Sequence, residues 1–119
     1  MTRILVVADE PWVRNEVHAA LSAPGIELID HDDPSTAAAA AVDNAVDVAV
    51  VDLQIGSMGG MAVTRSILEN ADQIPVVMLG DRAADAFIAH RAGAGAWVTK
   101  PVEAHELRDA VRSVGAATP

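Results

Sequence analysis

Five short apolar runs alternate with five helical patterns along this chain, and this alternation limits its fold more than any other feature. The runs are rich in β-branched residues and nearly continuous, which is typical of strands buried on both faces. They are Ile4–Ala8, Ile26–His31, Val46–Val51, Ile74–Leu79 and Ala96–Thr99. Each run is followed by a segment with helical spacing. Such strict alternation predicts a parallel sheet with helices on both faces.

Few topologies remain once every crossover is right-handed. Five strands favour a flavodoxin-like (βα)5 α/β fold, a doubly wound parallel sheet with strand order 2-1-3-4-5. At 119 residues and 51% apolar composition, the chain predicts one domain over residues 1–119 with an ordered core at about 3–115. In such sheets the working site lies beyond the carboxyl ends of the strands, near the switch point between strands 1 and 3.

Composition excludes several classes of function. The absence of cysteine removes disulfides and thiolate metal sites. A net charge of −9, with scattered arginines, argues against a nucleic-acid surface. The apolar runs are too short to span a membrane, and the amino terminus lacks the pattern of a signal peptide. The expectation is a cytoplasmic protein that is not an enzyme and binds neither nucleic acid nor membrane.

Charged residues follow the strands that should be neighbours. Asp9 and Glu10 follow strand 1, Asp52 ends strand 3, and Lys100, the only lysine, follows strand 5. Carboxylates this close repel unless a cation or a basic side chain compensates them. One interpretation is therefore a Mg²⁺ and phosphate site in which Lys100 is the second partner. The other is that Asp9 or Glu10 caps the helix starting near Pro11. The residues alone leave both open.

The ordered set of motifs resembles the receiver domain of two-component response regulators over nearly the whole chain. The matching segments are Ile4-Leu-Val-Val-Ala-Asp9-Glu10-Pro11, Val50-Val51-Asp52-Leu53, Met58-Gly59-Gly60, Val76-Val77-Met78-Leu79, Gly93-Ala94 and Trp97-Val98-Thr99-Lys100-Pro101. The resemblance implies that Asp52 accepts a phosphoryl group from a histidine kinase or a small phosphodonor. It also implies Mg²⁺ ligands at Asp9, Asp52 and the backbone carbonyl of Gln54, with Lys100 pairing with the acceptor and then with the phosphoryl group. The bond from Lys100 to Pro101 is usually cis in this family.

Three positions depart from the family pattern. Ala8 replaces the first of the two acids that the family has at the end of strand 1, so weaker Mg²⁺ binding is expected, with Glu10 as a partial substitute. Gly80 replaces the Thr or Ser after strand 4 and has no hydroxyl to donate to a phosphoryl oxygen. Coupling to the aromatic switch residue Trp97 should therefore be weakened, and Arg82 is an auxiliary candidate. Gly56 replaces a proline after the acceptor.

Two functions remain at this point. The first is a Mg²⁺-dependent receiver phosphorylated on Asp52, which signals to an unidentified protein partner and could form a homodimer through helix 4, strand 5 and helix 5. The second is a phosphorylation-independent pseudo-receiver that serves as a protein–protein interaction module. The retained Asp9, Asp52 and Lys100 favour the first, whereas Ala8 and Gly80 favour the second.

Overall fold

The computed structural model describes residues 1–56 and 58–116, and its elements follow the predicted alternation. The strands are β1 Thr2–Val7, β2 Ile26–His31, β3 Val48–Asp52, β4 Val76–Gly80 and β5 Ala96–Thr99. The helices are α1 Pro11–Leu21, α2 Ala37–Asp43, α3 Gly60–Asn70, α4 Ala86–Ala92 and α5 Ala104–Ala116. Short 3-10 turns at Pro34–Thr36 and Ala83–Asp85 lead into α2 and α4.

The five strands are parallel and stand in the order β2-β1-β3-β4-β5, which confirms the predicted flavodoxin-like topology. In the β1–β3 pairing Val7 lies opposite Val51, and in the β4–β5 pairing Gly80 lies opposite Thr99. Asp52 and Lys100 therefore both come to the carboxyl edge of the sheet, although 48 positions separate them in sequence.

Side chains alternate between two core layers because successive residues of a strand point to opposite faces. Leu5 and Val7 join the layer covered by α2, α3 and α4, whereas Ile4 and Val6 join the layer covered by α1 and α5. All four side chains are essentially inaccessible to solvent. Burial on both faces accounts for the continuous apolar character of the strands in the sequence.

Some element boundaries differ from the predicted ones for local reasons. β3 begins at Val48, because the N–H of Arg3 donates at 2.8 Å to the carboxylate of Asp47 and not to a backbone carbonyl before it; the N–H of Asp47 donates to the carbonyl of Arg3 at 2.7 Å. β1 ends at Val7, one residue before the predicted end. α5 ends at Ala116, next to the end predicted for the ordered core at about 115; residues 117–119 are outside the described residues.

The loop between β3 and α3 contains two glycines with positive φ, Gly56 (51°) and Gly59 (82°). Residues that carry a side chain rarely adopt this conformation. A Cβ at Gly60 would lie 2.7 Å from the Cα of Leu53, so α3 starts in close contact with the end of β3. Over residues 1–56 and 58–116, no helix is long and apolar enough to cross a membrane.

Candidate functional site

Asp52 is a fully buried carboxylate at the end of β3. Its Oδ1 accepts from the Nζ of Lys100 at 2.8 Å and from the backbone N–H of Gln54 at 3.1 Å. Its Oδ2 is buried and has no partner within the part of the chain that the structure describes. A buried charge without compensation is costly, so the ammonium of Lys100 is what makes an ionised Asp52 tolerable here. One carboxylate oxygen is thus held in place and the other is left without a partner.

The side chain of Lys100 is only 4% exposed and is surrounded by acceptors. Besides Asp52, its Nζ contacts the Oε1 of Gln54 at 2.9 Å and the Oδ1 of Asp81 at 3.4 Å. An ammonium has three donors, and these three oxygens match them. The ring of Trp12, in the first turn of α1, lies 5.5 Å from the Nζ, which adds a cation–π contact. Lys100 is therefore enclosed by groups from α1 and from the ends of β3 and β4.

The backbone on both sides of Lys100 is fixed as well. Its N–H donates to the carbonyl of Gly80 at 2.7 Å, which continues the β4–β5 pairing by one step. The bond to Pro101 is cis, as the family pattern implies. Two residues later the N–H of Val102 donates to the carboxylate of Glu16 on α1 at 2.9 Å. These contacts hold the segment after β5 against α1 and direct Lys100 towards Asp52.

Asp9 and Glu10 both lie at the carboxyl end of β1 and are exposed. The Oδ2 of Asp9 accepts from the N–H of Gly56 at 3.0 Å, which ties the loop after β1 to the loop after β3. Glu10 occupies the N-cap position of α1, but its side chain makes no capping hydrogen bond. Its backbone carbonyl accepts from Val13 and Arg14 instead. The capping interpretation of these acids therefore finds no support in the geometry.

Arg82 is not brought into this cluster. Its side chain is 73% exposed and lies 3.9 Å from Asp85, at the start of α4. Ala8 is buried against α1, where its carbonyl accepts from the guanidinium of Arg14 at 3.1 Å.

The two switch positions, Gly80 and Trp97, are in direct contact. The six-membered ring of Trp97 occupies the space that a side chain at Gly80 would fill. The indole N–H of Trp97 donates to the Oγ1 of Thr99 at 3.0 Å.

The carboxylate oxygens at this edge of the sheet fit a Mg²⁺ ion. No group of three or more His, Asp or Glu side chains suited to a metal occurs in the described part of the chain. Mg²⁺ does not need such a cage, because it is usually held by one or two carboxylates and completes its shell with water and phosphate oxygens. The unpartnered Oδ2 of Asp52 has two lone pairs, so it could bind a cation through one and keep the other available. The exposed carboxylate of Asp9, which accepts one N–H, retains further acceptor capacity.

Several contacts at this edge were not assigned from the sequence. The family resemblance implies a role for Gln54 only through its backbone carbonyl, whereas the structure places its side chain on Lys100. Asp81 directly follows β4, and that position was a signal that it would reach the same edge. Glu16 gave no comparable signal, because its contact with Val102 depends on how α1 packs against the segment after β5.

The chain matches the family model described as the response regulator receiver domain over residues 4–112. It therefore belongs to the receiver-domain family of two-component response regulators.

Curated relatives and solved structures agree with this assignment. The heme response regulator HssR of Staphylococcus saprophyticus is 33% identical over 116 residues, which make up 96% of this chain and 51% of that protein. The chain thus spans about half the length of the curated relatives it matches. The receiver domain of NtrX from Brucella abortus is 31% identical with a TM-score of 0.85, covering 95% of this chain and 98% of that one. A LuxR-family response regulator from Aurantimonas is 28% identical with a TM-score of 0.87, covering 98% and 87%.

Proposed function

We propose that this receiver domain is a Mg²⁺-dependent phosphoacceptor that carries a phosphoryl group on Asp52. The observation that carries the proposal is the asymmetry of that buried carboxylate. Its Oδ1 is held by Lys100 and by the N–H of Gln54, while its Oδ2 is left without a partner. Because Oδ1 is held, the carboxylate is oriented, and the unengaged Oδ2 is suited to act as a nucleophile.

The transfer is a single displacement at phosphorus. The Oδ2 of Asp52 forms the new O–P bond while the P–N bond of a phosphohistidine, or the P–O bond of a small phosphodonor, breaks. The bonding pair leaves with the donor. Lys100 lies next to the acceptor and would balance charge on the transferring group. Little beyond positioning and charge stabilisation is needed for such a step.

Asp9, Asp52 and the backbone carbonyl of Gln54 would hold the Mg²⁺. When bound, the ion supplies charge neutralisation at the phosphoryl oxygens. Asp9 is already fixed through Gly56, so its carboxylate needs little further ordering. Replacement of an acid by Ala8 removes one second-sphere ligand, and the Mg²⁺ affinity should be correspondingly low.

The source of the phosphoryl group is a histidine kinase or a small phosphodonor, and the output is a protein partner. The surface formed by α4, β5 and α5 suits such a partner or a homodimer, since Phe87 on α4 is 70% exposed and Ile88 is also exposed. The net charge of −9 favours a basic protein surface over a nucleic acid. The curated relatives named heme response regulators are about twice as long as this chain, so their signal is not transferred to it.

A second candidate is the phosphorylation-independent pseudo-receiver. The filling of the space at Gly80 by the ring of Trp97 favours it, because that position can offer no hydroxyl to a phosphoryl group. In this case Asp52 and Lys100 would be retained as a stabilising pair.

Incubation with phosphoramidate and Mg²⁺, followed by intact mass spectrometry, separates the two. The phosphoacceptor proposal predicts one added phosphoryl group that requires Mg²⁺ and is absent in Asp52→Asn. Arg82→Ala is the matched control, because its side chain is exposed and pairs with Asp85 at the start of α4, not with Asp52 or Lys100. An unmodified wild-type protein at millimolar Mg²⁺ would leave the interaction module as the better explanation.

A further inference from the structure

The end of β4 and the indole of Trp97 fit together at Gly80. A Cβ on Gly80 would overlap the Cη2 of Trp97 and would lie 2.8 Å from its Cζ2 and 3.2 Å from its Cζ3. Real Cβ atoms essentially never approach a ring carbon this closely, so the ring takes the space that any other residue would use for its side chain. Gly80 therefore does more than lack the hydroxyl of the family's Thr or Ser. The position of the Trp97 ring also requires a residue without a side chain here.

Other contacts hold the ring in this inward position. The indole N–H donates to Thr99 two residues further along β5, which satisfies the only donor of the side chain. The ring also packs against the core layer that contains Met78 of β4 and Ala89 of α4. Trp97 itself is only partly exposed. Moving the ring outward would break the hydrogen bond, expose apolar area and open a void above Gly80, and each of these changes is unfavourable.

We propose that Gly80 and Trp97 form a permanent lock, which keeps the face formed by α4, β5 and α5 in one arrangement whether or not Asp52 carries a phosphoryl group. This regulation rests on the proposed function, since it concerns how phosphorylation of Asp52 would be transmitted. A ligand shifts a conformational equilibrium only by its differential affinity for the two states. Phosphorylation cannot drive Trp97 inward when the ring already occupies that position. It would act instead through the loops that contact Asp52, Asp9 and Lys100.

The lock can be tested by NMR on the full chain. An NOE between the Hη2 of Trp97 and the Hα atoms of Gly80 reports the inward ring, and Trp97→Phe assigns its indole signal. Spectra are recorded free, with Mg²⁺, and with Mg²⁺ plus beryllofluoride as a phosphoryl mimic. The lock predicts that this NOE and the Trp97 indole shift persist in all three conditions, while the amide signals of Asp52 and Gln54 move when the mimic binds.

Gly80→Ala is the complementary variant, because its Cβ must displace the ring. The clash involves only side-chain atoms of one ring and no backbone atom, so the variant should fold with the whole indole rotated away. Its Trp97 signals should move to the values of a more exposed indole. Gly115→Ala is the matched control, since a Cβ there meets no atom within 4 Å. It should leave the Trp97 signals unchanged.

The outcomes separate the lock from the proposed function. If beryllofluoride moves no signal at Asp52, the phosphoacceptor proposal fails, while the NOE in the free protein and the Gly80→Ala spectrum still decide the lock. Absence of the NOE in the free protein, or its loss on addition of the mimic, overturns the lock. A Trp97 signal in Gly80→Ala identical to that of the wild type also overturns it, because the ring would then not depend on the empty space.

Discussion

Replacement of Lys100 by methionine should destabilise this domain strongly, because it leaves Asp52 buried and charged without its main partner. The carboxylate is fully buried and would retain one donor, the N–H of Gln54. Breaking a buried ion pair by removing one member costs about 3–5 kcal/mol. The other contacts of Lys100 add little to this cost, because Gln54 and Asp81 are exposed and can return to water. This loss is a large part of the total stability, since the free energy of unfolding of a domain of this size is about 5–15 kcal/mol.

Urea unfolding followed by far-UV circular dichroism at neutral pH measures this loss. The double variant Asp52→Asn with Lys100→Met should recover at least about 2 kcal/mol, because it also removes the uncompensated charge. Arg112→Met is the matched control: Arg112 pairs with Asp109 at 3.2 Å on the exposed face of α5, and such pairs contribute about 0–1 kcal/mol. If Lys100→Met loses no more than this control, or if the double variant recovers nothing, the assignment of Lys100 as the compensating charge is refuted.

Three further predictions concern the surroundings of the site. Asp9→Asn should weaken Mg²⁺ binding by about tenfold or more while leaving the fold intact, as read from a Mg²⁺ titration by NMR; an unchanged affinity would remove Asp9 from the ligand set. Arg82→Ala should leave the rate of phosphorylation unaltered because its guanidinium is exposed, and a tenfold fall would instead give it the auxiliary role. Asp33 caps the 3-10 turn Pro34–Thr36, and the hydroxyl and the backbone N–H of Ser35 both donate to its Oδ1. The hydroxyl first, and then the backbone N–H, lower the pKa of Asp33. These bonds therefore stabilise the fold above the ordinary Asp pKa, and their contribution is lost as the pH falls through the lowered pKa. Ser35→Ala should raise the pKa of Asp33 in an NMR titration, and an unchanged value would contradict that cause.

The strand order was predictable from sequence because burial leaves a strong signature. Strands covered on both faces must be apolar throughout, and helices must alternate with them to make parallel crossovers. Strand boundaries were less predictable where a buried apolar residue lies outside the hydrogen-bonded part of the strand. Val46 is buried but precedes β3, because the carboxylate of Asp47, and not a backbone carbonyl of this segment, accepts the N–H of Arg3. Apolar character alone does not distinguish a buried loop residue from the first residue of a strand.

The residues of the candidate site were predictable as far as topology dictates them. Asp52 and Lys100 each stand at the end of a strand, and parallel strands bring such residues to one edge. The contacts of the Gln54 side chain and the Trp12 ring with Lys100 depend on rotamers and on the position of α1, neither of which has a sequence pattern. At Gly80 the sequence indicated only a missing hydroxyl. That Trp97 fills the resulting space could be learned only from the packing.

The most direct test of the central claim is to identify the phosphorylated residue. After treatment with phosphoramidate and Mg²⁺, borohydride reduction converts an aspartyl phosphate to homoserine, and peptide mass spectrometry locates the conversion. A phosphoacceptor at Asp52 predicts homoserine at position 52 only, and none when Mg²⁺ is withheld. Conversion at Asp9 or another carboxylate, or no conversion under any condition, would contradict it.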